Sequence, residues 1–421
     1  MAFEQVFNCA RTIGKLREGP LGELLEEFCN WLLDHRYSQW SVRKIIGDLS
    51  HLNAYLGVVS KSQCTRMTDA HIDEFFKVYS SSCLHRGPLQ QHLRRVSFSV
   101  HRFVAYLQGT GRFDACCSPP SYQLLRDAYV EWMRQRQNCA DGTLDLRSRS
   151  IGKFLEWLGP QATPVGLSKL TAHRVEQFII AYAQHAGLAA RRSMQAALRT
   201  FLRFALHAGL IREHFDLAVP TLRTYKLSNV PRGLSEIQAS QVLASVDRSC
   251  LAGRRDYAIL QLLCSYGVRG GQVRGLRLSD IHWAQDRIWF RASKHGKDSL
   301  LPLTAEVGAS LLDYLQNARP SGAWPEVFLT CRPPYHPLLT SSTLSEIVRR
   351  HMRAAGVDVP SQGAHAFRHG FATRMVAQGH SLKAVADVLG HRHLSTTFLY
   401  TKVDFVSLQQ VALEWPQEVN A

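Results

Sequence analysis

Apolar residues in the first half of the chain recur at helical spacing. They fall at Val42, Ile45, Ile46, Leu49, Leu52 and Leu56, an i, i+3, i+4, i+7 stripe that predicts a long amphipathic helix stopped at Gly57. Arg43 and Lys44 lie off the stripe and can face solvent or phosphate. A similar order of features returns further on. Trp31 is answered by Trp132, Tyr55-Leu56-Gly57 by Trp157-Leu158-Gly159, and Met67-Thr68-Asp69-Ala70-His71 by Leu170-Thr171-Ala172-His173-Arg174. Phe103 with Gly111 is answered by Phe201 with Gly209. The offsets are 101 for the tryptophans, 103 for Phe75 and Phe178 and 98 for the glycines, a drift that changes in loop length produce. The pattern predicts two related helical bundles, although any two small bundles share some spacing of this kind.

The second half mixes periods. Asp256 to Tyr266 predicts a buried helix with Ile259, Leu262, Leu263 and Tyr266 on one side and Gly267 at its end. Asp280 to Leu303 predicts three short strands: Ile288, Phe290 and Ala292 alternate with Arg287, Trp289 and Arg291, and His295-Gly296 supplies a turn before Ser299. Helical spacing resumes from Thr340 and includes Ser381 to Leu389, with a serine cap and Gly390 as terminator. The expected fold class is mainly α with a small antiparallel β-sheet. Two breaks divide the chain. Cys116-Cys117-Ser118-Pro119-Pro120 cannot continue a helix, and Pro220 to Pro231 forms a basic, proline-bounded linker carrying Arg223 and Lys226. The expected organisation is an N-terminal segment at 1–19, bundles at 20–115 and 121–219, the linker at 220–231, a mixed domain at 232–403 and a tail at 404–421.

Charge narrows the partner class. A formal net charge of +16 over 421 residues, spread along the chain, attracts polyanions, nucleic acid first among them. The ten cysteines form no Cys-x-x-Cys pair, which disfavours a zinc ribbon or a secreted disulfide framework. The N-terminus has no apolar signal core, and no stretch approaches the length of a membrane span. These features predict a cytoplasmic, nucleoid-associated protein without a membrane partner.

The candidate chemistry sits in the mixed domain, in Tyr266-Gly267-Val268-Arg269, in His365-Ala366-Phe367-Arg368-His369, and in the run from Leu389-Gly390-His391 to Tyr400. A phosphodiester repels nucleophiles, and its charge grows in the transition state. Arginine forks pair with its oxygens and stay charged at neutral pH. Arg269 and Arg368 are therefore assigned to the non-bridging oxygens, with His391 as a third donor. Tyr400 is the candidate nucleophile, and His365 the base that takes its proton. The leaving deoxyribose hydroxyl needs an acid, which a lysine on a β-hairpin supplies; Ser293-Lys294-His295-Gly296-Lys297 offers Lys294. No metal and no other cofactor is called for. Arg94 and Arg95 in the first bundle and Arg191, Arg192, Arg199 and Arg203 in the second fall in corresponding regions. With Arg223 and Lys226 they are the candidate DNA contacts, though a solvated helix face carries the same pattern.

At these residues the chain resembles the tyrosine recombinases of the phage-integrase family, whose Arg, Lys, His-x-x-Arg, His and Tyr set matches Arg269, Lys294, His365, Arg368, His391 and Tyr400 in order and spacing. The resemblance covers roughly 232–403, and the bundle at 121–215 resembles the family's core-binding domain. It implies a recombinase catalytic domain preceded by two SAM-like helical bundles of core-binding type. It also implies cleavage of double-stranded DNA through a 3′-phosphotyrosyl bond that frees a 5′-hydroxyl, without ATP. Exchange through a four-armed junction held by a homotetramer or mixed tetramer, in the service of a mobile element, is implied as well. Phe405, Leu408, Val411 and Trp415 would then form a tail helix docked on a neighbour, or one packed on its own domain. Three features depart from the family. Gln272 stands where an acid usually follows the first arginine, Ser299 where an arginine is common, and the bundle at 20–115 is additional.

Other readings compete. His365 and His369 have the i, i+4 spacing of a zinc-protease motif, but Ala366 stands where its glutamate belongs. Lys297 competes with Lys294 as the acid, and His369 and His393 read as secondary partners. A type IB topoisomerase shares the chemistry but lacks the separate core-binding bundles. A catalytically weak or inactive DNA-binding relative, acting with partner recombinases, is the alternative that Gln272 supports.

Overall fold

The computed structural model describes residues 2–59, 67–82, 88–114, 121–137, 139, 141–222, 233–292, 297–360 and 362–403, with the backbone alone at 82, 114, 137 and 399–403. The turn at Cys116–Pro120, the linker residues Arg223 and Lys226, the Ser293–Gly296 turn with Lys294, and the tail positions Phe405, Leu408, Val411 and Trp415 lie outside the described residues. Two compact units result: Met1–Cys29 with Arg43–Tyr225, and Asn30–Val42 with Lys226–Ala421. Among the described residues no helix is long and apolar enough to cross a membrane.

The first half is built from helices α1 (Ala2–Val6), α2 (Ala10–Glu18), α3 (Gly22–Asp34), α4 (Gln39–Val59), α5 (Asp69–Ser82) and α6 (Leu89–Gly109), followed by α7 (Gln123–Gln137), α8 (Asp141–Leu158), α9 (Pro164–Leu167), α10 (Ala172–His185) and α11 (Leu188–His207). The predicted stripe of α4 is buried from Val42 through Leu56. The helix runs past Gly57 to Val59, because a glycine costs only about 1 kcal/mol of helix propensity and does not by itself end a helix. Thr171 caps α10 by accepting from the Arg174 N–H. A two-residue parallel pair, β1 (Met67–Thr68) against β2 (Phe113–Asp114), joins the ends of the first bundle and is too short to show as a period. The buried Asn53 side chain there is satisfied: it accepts from the Leu21 N–H and donates to the Leu16 carbonyl. The second bundle closes around Tyr129, Phe154, Phe178 and Phe201.

The second unit contains α12 (Glu236–Ala244), α13 (Leu251–Tyr266), α14 (Gly270–Arg274), β3 (Ile281–His282), β4 (Arg287–Phe290), β5 (Ser299–Pro302), α15 (Ala305–Asn317), α16 (Ser341–Ala354), α17 (Ala364–Ala377) and α18 (Leu382–Val388), then a 3-10 segment at Leu394–Val403. The three strands form one antiparallel sheet in sequence order, with Ile281 opposite Ile288 and Phe290 opposite Ser299. Mostly helical with one small sheet, this is the fold class expected. Helix α13 is its axis. Ala258 and Leu260 are buried along with Ile259, Leu262 and Leu263, so the helix is enclosed more fully than its one-sided pattern predicts. At its start Asp256 is buried and receives Arg255 at 2.8 Å, His351 at 3.0 Å and Arg350, which ties α13 to α16. At its end Gly267 turns left-handed (φ +58°), where an added Cβ would strike the Phe371 ring.

Candidate active site

The left-handed turn at Gly267 delivers Arg269 to the N-terminus of α14, and Gln272 fixes it there. The Gln272 carbonyl oxygen accepts the Arg269 backbone N–H at 3.0 Å, and its amide donates to the Arg291 carbonyl at 3.2 Å. Glutamine thus does two jobs, of which a carboxylate could do only the accepting one. Arg291 is in turn held by Asp280, which is fully buried and also accepts the Arg277 N–H.

Arg368 projects from α17 and is 4 % exposed. It donates to the Gly267 carbonyl at 2.9 Å and to the Leu389 carbonyl at 2.8 Å, while Arg269 donates to the Gly390 carbonyl at 3.4 Å. Both guanidinium groups are thereby tied to the turn that introduces His391. That turn needs Gly390: its φ is +63°, and a Cβ would come within 3.0 Å of the Lys297 carbonyl and 3.3 Å of the Ser299 hydroxyl. Ser299 is buried at this contact. Between β4 and β5 the Asp298 carboxylate accepts the Ala292 N–H at 2.6 Å.

His391 is buried and bonded through Nδ1 to the Thr397 hydroxyl at 2.8 Å. Burial, then the charges of Arg368, Arg269 and His369, push its pKa down to about 4, so the ring is neutral at pH 7. His369, half-buried, is also lowered, by burial and then by His365 and Arg368. His365 lies exposed in the first turn of α17, its ring 6.3 Å from that of His369. The backbone of Tyr400 belongs to the 3-10 segment that follows His391. Arg269, Arg368 and His391 are therefore brought together, and Lys294 lies outside the described residues. Sequence reasoning missed Thr397 and Asp280: Thr397 stands inside the run from Leu389 to Tyr400 without a role that spacing assigns, Asp280 stands in no motif, and their hydrogen bonds single them out. Among the described residues no group of three or more His, Cys, Asp or Glu is arranged to hold a metal ion.

The candidate DNA-contact arginines separate into two kinds. Arg94 on α6 and Arg192 on α11 are exposed and have no hydrogen-bond or ion-pair partner among the described residues. The others are engaged inside the fold. Arg95 pairs with buried Asp48 at 3.0 Å. Arg191 donates to the Ala183 carbonyl in the last turn of α10 and to the carbonyl of Ala186, just past its end. Arg199 holds Val219, Pro220 and Thr221. Arg203 pairs with Asp216 at 2.8 Å while its side chain stays 61 % exposed.

Residues 232–406 match the model of the phage integrase family. Over 407 residues, 96 % of each chain, the sequence is 39 % identical to a putative integrase/recombinase, y4rA, of Sinorhizobium fredii. It is 29 % identical to the tyrosine recombinase XerD of Ralstonia nicotianae across 68 % of this chain and 91 % of that one. In fold it is similar to the XerH site-specific recombinase in a post-cleavage complex with a palindromic difH substrate. That likeness has a TM-score of 0.53 at 17 % identity, over 82 % of this chain and 95 % of that one. A lambda integrase dimer bound to a COC′ core site gives a TM-score of 0.51 at 18 % identity, over 69 % and 96 %.

Proposed function

Because the chain belongs to the phage integrase family, we propose that it is a site-specific DNA recombinase that cuts and rejoins double-stranded DNA through a 3′-phosphotyrosyl intermediate on Tyr400. The Tyr400 oxygen attacks phosphorus while His365 takes its proton. Lys294 protonates the departing 5′-oxygen, and Arg269, Arg368 and His391 bind the non-bridging oxygens as charge develops on them. In the second step the 5′-hydroxyl of a partner strand displaces the tyrosine, which recovers its proton. The number of phosphodiester bonds is conserved, and neither ATP nor a metal enters the balance.

One observation carries this reading: both arginines are anchored to the carbonyls of Leu389 and Gly390, the residues directly before His391. Three donors on one turn suit a phosphate oxygen pair far better than a neutral carbonyl. Arg192, Arg203 and Arg94 supply phosphate contacts from the bundles, Arg223 and Lys226 from the linker, and Arg95, Arg191 and Arg199 brace those surfaces. Four copies, or a mixed tetramer with a related recombinase, hold the exchanging strands of a mobile element, in the cytoplasm at the nucleoid. The test is a nicked duplex built from the DNA flanking the protein's own gene, which traps the cleaved state once the short strand diffuses away. A covalent protein–DNA adduct is expected, and Tyr400→Phe abolishes it. Binding without any adduct turns the assignment to a non-cleaving DNA-binding relative.

A further inference from the structure

Thr397 is completely buried, and among the described residues the only polar partner of its hydroxyl is Nδ1 of His391, at 2.8 Å. Two hydrogen arrangements fit that distance. If Nδ1 carries the ring hydrogen, it donates to the threonine oxygen, and the hydroxyl hydrogen is left inside the protein with no acceptor, at a cost of about 1–3 kcal/mol. If the hydroxyl donates into a bare Nδ1, the ring hydrogen sits on Nε2 and the buried pair is satisfied. The second arrangement wins by that margin. The location of this one hydrogen matters because the ring holds only one at neutral pH. Burial, Arg368, Arg269 and His369 all oppose a second proton.

We propose that Thr397 is a positioning residue that fixes His391 as its Nε2–H tautomer, so that the neutral imidazole donates to a non-bridging oxygen of the scissile phosphodiester. With the other tautomer, Nε2 would present a lone pair to an anion and repel it. The role of the donated hydrogen rests on the recombinase reading; the direction of the Thr397 hydroxyl does not.

Two measurements on the full-length chain separate these. In the first, histidine rings are labelled with nitrogen-15, and the His391 signals are identified by their loss in His391→Gln. A bare Nδ1 with a protonated Nε2 at pH 7 is expected, and a protonated Nδ1 overturns the proposal. In the second, adduct formation is followed on the nicked duplex. Thr397→Val, of nearly the same shape, is expected to slow trapping about 10- to 100-fold, by analogy with the loss on removing the outer hydrogen-bond partner of a metal-bound histidine. Thr397→Ser, which keeps the hydroxyl, restores it. A valine variant that traps as fast as the natural protein also overturns the proposal. If the natural protein traps nothing, the recombinase reading fails, and the nitrogen signals still decide which way the hydroxyl points.

Discussion

In the first bundle the rings of Phe28 and Phe103 lie 5.2 Å apart; in the second, Tyr129 and Phe201, at offsets of 101 and 98 residues, lie 5.4 Å apart. Tyr55 and Phe75 at 5.6 Å correspond to Trp157 and Phe178 at 5.5 Å. Phe28 with Tyr106 corresponds to Tyr129 with Phe204, and Phe75 with Tyr79 to Phe178 with Tyr182. The outer stripes differ. On α6 it runs through exposed Arg94, Phe98, His101 and Ala105; at the same register α11 carries exposed Arg192, Ala196 and Arg203 and half-buried Arg199. Interior and surface have therefore followed different constraints. Four helices that must interdigitate keep the aromatic contacts that set their spacing, whereas an outer face is answerable only to what it binds.

The largest effects should fall equally on both bundles. Phe103→Ala and Phe201→Ala each remove a fully buried ring, and each is expected to destabilise its bundle by about 3–5 kcal/mol. Hydrogen exchange of the amides in α6 and α11 reads the two losses separately. A loss in one bundle several times that in the other would break the correspondence of the cores. A smaller effect should distinguish them. Asn53 bonds the Leu21 N–H and the Leu16 carbonyl, while Leu155 fills the matching position of α8 with hydrocarbon. Asn53→Leu strands those two backbone groups and is expected to cost about 1–3 kcal/mol. The same exchange experiment, read at α2 and α3, checks it; unchanged protection would show that the polar clasp is dispensable.

The same contrast explains what could be read from the chain alone. The helices, the three-stranded sheet and the left-handed stops at Gly267 and Gly390 follow from period and turn chemistry, which are local. The candidate catalytic residues are read from residue type and from motif order along the chain; that the Arg269 and Arg368 side chains both reach the turn before His391 is visible only in the fold. Pairings across the fold left no such trace. Nothing in the pattern around Asp256 announces that it is 1 % exposed and bonds His351, 95 residues on. Arg95 looks as available as Arg94, but Asp48, 47 residues earlier, engages it. Periodicity assigns a residue to a face; it does not say who waits there. Gln272 reads as the loss of a charge, and its second bond, to the Arg291 carbonyl, emerges only when β4 is in place.

The gentlest prediction bears on the surfaces. Removing one cation that neutralises a phosphate should flatten the dependence of log affinity on log salt by about 0.9. Arg192→Ala is expected to do so while leaving Arg203 on the same face, so the second bundle keeps part of its hold on DNA. On α6 the stripe has a single arginine, and Arg94→Ala should remove the same increment and with it most of the contribution of that face. Titrations of the full-length protein on one duplex at several salt concentrations compare the two. If Arg94→Ala leaves the slope unchanged, the first bundle's outer face does not follow a phosphate backbone. Phe98, 59 % exposed with the Arg102 guanidinium over its ring, would then mark a surface for a different partner. The two bundles would share a core and divide the work of recognition between them.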